Sequence, residues 1–201
     1  MAMRDSENGV LDTSESDLVG LARAGDPAAR QELFKRHFGI ATRVAYRLLG
    51  HEQDALDAVQ DAMIKALVHL ESFDGRSRFR TWLLRIVTNA ALDLGRRRRR
   101  RPWVSLDEPG SDGASRAEAI AFSETDPAAG LHRADLRKLL NHALDRLSPS
   151  TRTTFILFAE AELSYKEIAD CQNVPIGTVM SRLHYARQRL QTYFEESKVE
   201  V

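Results

Sequence analysis

The sequence contains a single cysteine and no long apolar run, and these absences exclude several classes of protein. Cys171 has no second thiol with which to form an internal disulfide or a cysteine-rich zinc cluster. The longest fully apolar runs, such as residues 155–159, are far shorter than the roughly 20 residues of a membrane-spanning helix, so no membrane insertion is expected. The N-terminus lacks the apolar segment of a secretory signal. A cytoplasmic protein of one or two globular domains is expected.

Net charge is also absent, because 29 basic residues balance 29 acidic ones. A neutral chain is a poor match for a polyanionic partner, since phosphate binding depends on neutralisation by Lys and Arg. The balance, however, is an average over segments of opposite sign. Residues 76–101 hold ten arginines against one acid, whereas residues 105–135 hold seven acids against two arginines, and residues 1–20 are also acidic. The charge therefore has to be interpreted segment by segment.

The hydrophobic pattern predicts an all-α chain of two small helical domains joined by a flexible linker. Apolar residues recur at helical spacing on both sides of residues 102–133, and no alternating run of strand length appears. The segment between has prolines, glycines and serines without periodicity, which is typical of a linker. The predicted divisions are a flexible N-terminus 1–15, a first domain 16–101, the linker 102–133, a second domain 134–195 and a tail 196–201.

A helix predicted from Asp54 to Leu70 has an unusual outer face. Its predicted core stripe is Ala55, Ala58, Val59, Ala62, Met63, Ala66, Leu67 and Leu70. Asp57, Asp61, Ile64 and Val68 fall on the opposite side. Either a neighbouring helix of the same domain covers the aliphatic residues and the aspartates are merely solvated, or the face docks a protein partner. The spacing by itself slightly favours the first interpretation.

The next predicted helix, about Ser77 to Arg98, has a cationic outer face and continues into six arginines. The predicted core stripe includes Trp82, whose spacing favours a core position over base stacking. The outer face consists of Thr81, Arg85, Thr88, Asn89, Leu92 and Arg96. Six adjacent arginines repel one another and are stabilised by phosphate. A solvated run or a targeting tract is the alternative, but its position at the end of a cationic helix favours nucleic acid.

The C-terminal domain contains the pattern of a helix-turn-helix. Ser148 and Pro149 start one helix, and Ser164 with Glu167 forms a capping box that starts a second, short helix. After a break at Pro175, a longer helix follows whose outer face, from Ile176 to Gln191, has no acid. Plain helix packing would also explain a helical hairpin, but an acid-free, arginine-bearing second helix favours insertion into the DNA major groove.

These motifs carry a family resemblance. The stretch from Asp54 to Asp61, followed by Phe79-Arg-Thr-Trp-Leu, Ile86-Val-Thr-Asn and an arginine run, resembles region 2 of bacterial sigma factors. Leu163-Ser-Tyr-Lys-Glu-Ile-Ala with Ile176-Gly-Thr-Val and Ser181-Arg-Leu-His resembles region 4. Both sets occur in order with no domain between them, as in the extracytoplasmic-function group. An autonomous helix-turn-helix regulator that binds duplex DNA without polymerase is the alternative function, although no dimerisation element is apparent.

The resemblance implies three binding surfaces. Core RNA polymerase, through its large clamp-bearing subunit and its flap, is the implied protein partner, and the implied polymerase-binding residues are Asp54, Asp57, Gln60, Asp61 and Ile64. Residues implied to bind single-stranded promoter DNA at the minus-ten element are Trp82, Arg85, Asn89, Asp93, Arg96 and Arg97. Residues implied to bind duplex DNA at the minus-thirty-five element are Thr178, Ser181, Arg182, His184, Tyr185 and Arg187.

Two positions depart from the family pattern, and several other expectations complete the prediction. Met180 stands where relatives usually have Lys or Arg, and Tyr185 where many have Arg, so the resemblance does not specify a promoter sequence. An anti-sigma factor is a further candidate partner. The acidic linker fits either a mimic of nucleic acid or a simple tether. No catalytic motif, cofactor or metal site is predicted, so the protein is not expected to be an enzyme.

Overall fold

The computed structural model describes residues 14–100 and 139–197, and every regular element within them is helical. The first domain comprises α1 (Glu15–Arg23), α2 (Pro27–Leu49), α3 (Glu52–His69), a 3-10 turn (Leu70–Ser72) and α4 (Phe79–Arg100). The second comprises α5 (139–145), α6 (Pro149–Ala159), α7 (Tyr165–Gln172) and α8 (Ile176–Ser197). The predicted all-α class with two helical domains is confirmed. No helix in the two described ranges combines the length and apolarity needed to cross a bilayer.

The helix ends follow local signals in the sequence. The Asp26 carboxylate caps α2 by accepting from the backbone N–H of Ala29 at 2.7 Å, and Gly50 ends the same helix in the left-handed region with φ of +75°. The predicted capping box at α7 is present, with Ser164 N–H donating to Glu167 Oε2 at 2.9 Å. Each such cap contributes about 1 kcal/mol of helix stability, so these boundaries are locally determined.

Helices α2, α3 and α4 pack together around an apolar core that includes Leu33, Val59 and Leu83, all fully buried. This packing turns one face of α3 and one face of α4 outward. The prediction that Leu67 belongs to the core stripe is wrong, because its side chain is 43% exposed. Leu70 fills that end of the core instead, and Leu67 lies on the outer side of the helix.

The two domains pack against each other through α2 and α4 on one side and α6 and α7 on the other. A second apolar cluster spans this boundary. From the first domain it contains Ile40, Val44 and Leu84, and from the second it contains residues such as Ile156, Leu157, Ala161, Leu163 and Ile168. Leu84 and Val44 have no exposed surface. They are therefore covered by the second domain rather than by their own.

Hydrogen bonds with charged donors surround this apolar contact. Arg47 Nε donates to Glu160 Oε1 at 2.7 Å, and Arg152 Nη2 donates to the Arg47 carbonyl oxygen at 2.6 Å. Arg80 Nη2 donates to the carbonyl oxygen of Ala161 at 2.6 Å. Because each bond joins residues far apart in the sequence, the set fixes one orientation of the domains.

Candidate nucleic-acid interface

No described residue covers the outer face of α3. Asp57, Gln60 and Asp61 are exposed, and the side chains of Ile64 and Val68 are 56% and 70% exposed. Within residues 14–100 and 139–197, therefore, no neighbouring helix covers the aliphatic residues, and that interpretation of the sequence is wrong. Branched apolar side chains beside carboxylates on an open helix face are typical of a protein-binding surface.

Asp54 lies apart from the other predicted polymerase contacts. It is only 4% exposed, and its carboxylate pairs with the guanidinium of Arg98 near the end of α4. The first turn of α3 therefore holds the arginine-rich end of α4 in place. Helical periodicity places Asp54 on the α3 helix but does not predict a partner so distant in the sequence.

The exposed face of α4 presents polar and cationic groups. Arg85, Asn89 and Arg97 are exposed. Asp93 is exposed as well, and its carboxylate is hydrogen-bonded to Arg96 one helical turn away. That bond is the main reason why the pKa of Asp93 lies below its usual value, with Arg97 adding to the effect. The only acid of this face is thus paired with a cation, which keeps the surface attractive to phosphate.

Trp82 stands where the core meets this face. Its ring packs at 5.1 Å from Phe73 and 5.6 Å from Phe79, centroid to centroid, yet part of it remains accessible. It lines a cleft between the domains together with Arg85, and Cys171 and Pro175 form the opposite wall. Trp82 therefore packs in the core of the first domain and also lines the cleft.

The neighbouring row of α4 is covered by the second domain. Thr81 and Thr88 were predicted on the outer face, but they are only 2% and 4% exposed. Thr81 Oγ1 donates to Glu167 Oε1 at 3.3 Å. The prediction that this row faces outward is wrong for the arrangement described, because α7 packs on it.

The final helix, α8, buries Val179, Leu183 and Ala186 in the second domain. The opposite side exposes most of the predicted duplex-binding residues. Ser181, His184, Tyr185 and Arg187 are exposed, whereas Thr178 and Arg182 are half-buried. This orientation matches a recognition helix, whose outward side chains meet the base edges.

Two cations of α8 are held by contacts within their own domain. Arg182 Nη1 donates to Gln172 Oε1 at 2.8 Å, and that oxygen also accepts from the Thr154 hydroxyl at 2.9 Å. The Arg187 guanidinium lies 5.4 Å from the centre of the Phe158 ring. These contacts order both side chains before any ligand is bound. The sequence pattern predicted their position on α8 but neither contact.

Large apolar side chains interrupt the polar surface of α8. Ile176, Met180 and Tyr185 are 48%, 52% and 48% exposed. Exposed apolar groups beside donors such as Ser181 and His184 can contact thymine methyl groups in a major groove. The sequence shows that α8 contains these apolar residues, but only the packing shows that their side chains face outward.

Cys171 is a buried, unreactive thiol. Burial raises its pKa to about 12, and the nearby Arg85 and Thr88 of α4 oppose that shift only in part. A thiol that stays protonated at neutral pH is a poor nucleophile and a poor metal ligand. In the part of the chain that the structure describes, no three His, Cys, Asp or Glu residues gather as a metal site.

Comparisons with known proteins agree with this geometry. Residues 33–101 match the family model of Sigma-70 region 2, and residues 137–190 match that of Sigma-70, region 4. The chain is 30% identical to the ECF RNA polymerase sigma factor SigW of Bacillus subtilis over 169 residues, covering 84% of this chain and 90% of SigW. The chain belongs to the ECF sigma factors. The ECF sigma-E factor of Escherichia coli is 35% identical over 174 residues, covering 86% of this chain and 90% of sigma-E.

The fold of this sigma factor also resembles a solved relative. The structure of CnrH in complex with the cytosolic domain of CnrY matches it with a TM-score of 0.67 and 25% identity, covering 90% of this chain and 97% of CnrH. Sigma factors are non-enzymatic transcription initiation factors. The region 2 match ends with the arginine run in which α4 terminates, and the region 4 match contains α6, α7 and most of α8.

Proposed function

We propose that this sigma factor binds core RNA polymerase through the outer face of α3 and directs it to promoters by engaging the minus-ten element with α4 and the minus-thirty-five element with α8. The observation that carries the proposal is the uncovered acidic and aliphatic face of α3, in the same domain as the cationic face of α4. One surface suits a protein and the other suits nucleic acid. A sigma factor needs both.

The polymerase contact rests on Asp57, Gln60, Asp61 and Ile64, all exposed on one side of α3. Ile64 supplies an apolar anchor, since full burial of such a side chain contributes about 1.5–3 kcal/mol. The two aspartates favour a basic surface and speed encounter with it. Asp54 supports the contact from inside the domain by holding α4 against α3.

The minus-ten contact rests on the face that contains Arg85, Asn89 and the arginines at the end of α4. Guanidinium groups bind the phosphates of an unpaired strand, and an aromatic side chain such as Trp82 provides a stacking surface. Removing a base from the duplex costs a few kcal/mol, which hydrogen bonds donated by Asn89 to the base edge, and accepted from it by the Asp93 carboxylate, can offset. This set of groups suits single-stranded DNA better than intact duplex.

The minus-thirty-five contact rests on α8 inserted in the major groove. Ser181, His184 and Tyr185 are the exposed side chains positioned for base edges. Arg182 and Arg187 are already ordered by Gln172 and Phe158, so less conformational entropy is lost when they meet DNA. Thr178, half-buried near the start of the helix, is proposed to contact the DNA backbone.

Reconstituted transcription with core polymerase over a library of random promoters tests the proposal. Enriched sequences with two conserved elements separated by a fixed spacing support it. DNA binding by the chain without polymerase, together with no polymerase-dependent transcripts, would support an autonomous regulator instead. The proposal places the protein in the cytoplasm with its polymerase, where an anti-sigma factor is a candidate further partner.

Asp61→Arg tests the α3 surface directly. Because Asp61 is exposed, the substitution leaves the fold intact and places a cation where the partner presents basic groups. We expect loss of co-purification with core polymerase and an unchanged melting temperature. Glu196→Arg, the same charge change at an exposed position of α8, is the control and retains binding. Equal co-purification of both variants would rule out this surface.

A further inference from the structure

Large apolar side chains with exposed surface are concentrated on two helices. Among the residues that the structure describes, eight such side chains are exposed, and three of them lie on α3 and three on α8. On α8 they are Ile176, Met180 and Tyr185. Single exposed apolar residues are common on protein surfaces, whereas a cluster indicates a binding surface. The hydrogen bonds and charges that the proposed function assigns to α8 do not explain this cluster.

Helical geometry places two of these side chains in one row. An α-helix turns by about 100° per residue, so Ile176 and Met180 lie about 40° apart around α8 and about 6 Å apart along its axis. Tyr185 lies about 140° from Met180, toward the other flank. Ile176 and Met180 also belong to the first two turns, the part of a recognition helix that reaches base edges. We call them the apolar pair.

Gly177 leaves open space beside the apolar pair. A Cβ atom at this position would meet no atom of a neighbouring element within 4 Å, so packing inside the domain does not require glycine. Its φ is not positive, so the backbone conformation does not require glycine either. A helix surface without a side chain allows another molecule to approach the backbone closely. The start of α8 is therefore shaped for deep insertion into a groove.

The charge around the apolar pair favours DNA over a protein as its partner. No acidic residue occurs from Ile176 to Gln191, and Arg187 lies on the same side of α8, about 20° from Ile176. The exposed apolar residues of α3, by contrast, stand beside Asp57 and Asp61. Phosphates on both sides of a groove repel carboxylates and attract guanidinium groups. The surroundings of the apolar pair therefore suit a groove, and those of the α3 residues do not.

The apolar group on the base edges of the major groove is the C5 methyl group of thymine. Methionine and isoleucine side chains offer no hydrogen-bond donor, so a guanine or adenine edge placed against them loses its hydrogen bonds to water without replacement. Successive bases of one strand lie about 3.4 Å apart. Two side chains about 6 Å apart along α8 therefore match methyl groups that are one or two base pairs apart.

We propose that Ile176 and Met180 contact thymine methyl groups in the minus-thirty-five element, and that the preferred element has thymines one or two base pairs apart at the positions facing them. Both residues are then specificity determinants in addition to the polar side chains of α8. The inference rests on the proposed function of α8, and it adds the base feature that this helix recognises.

Replacement of thymine by deoxyuridine tests the inference, because it removes the C5 methyl group and leaves every hydrogen-bonding group of the base unchanged. The probe is a promoter fragment carrying the minus-thirty-five element enriched from the random library, with each thymine of that element replaced in turn. Affinity for the reconstituted holoenzyme is measured by competition. We expect one or two positions at which the replacement weakens binding about fourfold, the effect of leaving one methyl group unburied.

Met180→Ala connects the methyl effect to one side chain. Because Met180 is exposed, the substitution should leave the melting temperature unchanged. At the position that faces Met180, the variant should bind the thymine and deoxyuridine fragments equally well, and Ile176→Ala should have this effect at the other position. Met180→Leu keeps an apolar side chain and should restore the discrimination. Gln188→Ala, at an exposed position beyond the first two turns of α8, is the control and keeps it everywhere.

Equal affinity of the wild-type holoenzyme for every substituted fragment overturns the inference, as does an enriched element that contains no thymine in either strand. A methyl effect that survives in both alanine variants also overturns it, since another group then contacts the methyl. Loss of core polymerase binding by Met180→Ala assigns the apolar pair to a protein contact instead and overturns it as well. A library without an enriched minus-thirty-five element would refute the proposed function of α8 itself.

Discussion

Leu83 and Leu84 are adjacent on α4, and neither has exposed surface, but they belong to different apolar clusters. Leu83 lies in the core of the first domain, whereas Leu84 lies in the contact between the domains. Truncation of a buried leucine to alanine costs about 2–5 kcal/mol. For Leu84→Ala that cost weakens the contact between the domains, because the Leu84 side chain is accessible when the domains separate. For Leu83→Ala the same cost lowers the free energy of unfolding of the first domain.

A cost of about 3 kcal/mol changes an equilibrium constant by about 150-fold. Leu84→Ala should therefore shift the free protein toward separated domains, seen as a larger radius of gyration in small-angle X-ray scattering, with the melting temperature of the first domain nearly unchanged. Leu83→Ala should leave the radius unchanged and lower that melting temperature by more than about 10 °C, at several degrees per kcal/mol for a domain of this size.

The opposite pattern would refute the reasoning. If Leu84→Ala lowers the melting temperature as much as Leu83→Ala while the scattering profile stays compact, Leu84 stabilises its own domain and the contact has no separate equilibrium. If wild type is already as extended as Leu84→Ala, the contact between the domains is not populated in the free protein.

Two further predictions concern single side chains. Arg182→Ala should weaken binding to a minus-thirty-five duplex by about 1–3 kcal/mol and reduce discrimination among sequences; titrations in which every duplex weakens equally would assign Arg182 to phosphate. Burial lowers the pKa of His37 below its usual value; Arg80 and Arg36 add to this effect and Glu15 opposes it. In the window just below about pH 6.5, the unfolded chain therefore binds more protons than the native chain. Stability should therefore fall as pH falls through that window, and urea titrations of His37→Gln should show a smaller fall; the same pH dependence in both proteins would contradict this.

Local features of the fold were predictable because they depend on neighbouring residues. Asp26 and Gly50 delimit α2, and Ser164 with Glu167 starts α7, as their sequence context indicates. The open face of α3 was also visible as a periodic stripe. The sequence offered two explanations of that stripe, and only packing distinguished them, since exposure of Ile64 depends on where every other helix lies.

Contacts between distant segments were not predictable in the same way. Leu84 lies between the core stripe and the outer face of α4, and helical periodicity assigns it to neither. Its neighbours are supplied by α6 and α7, more than 70 residues further along the chain. The pairing of Asp54 with Arg98 has the same origin. A single sequence does not show which distant segments come into contact. The site residues were therefore predicted one by one, whereas the burial of part of α4 by the second domain was not predicted.

The packed state of the two domains combines a favourable apolar contact with an unfavourable unpaired polar group. Burial of Leu84 contributes about 1.5–3 kcal/mol, while a buried polar group without a partner among the described residues, such as Arg80 Nε, costs about 1–3 kcal/mol. The outer faces of α3 and α8 stay exposed in this state. Under the proposed function, partners of these two faces could therefore bind while the domains are packed together, and any partner that prefers separated domains shifts the equilibrium by its difference in affinity.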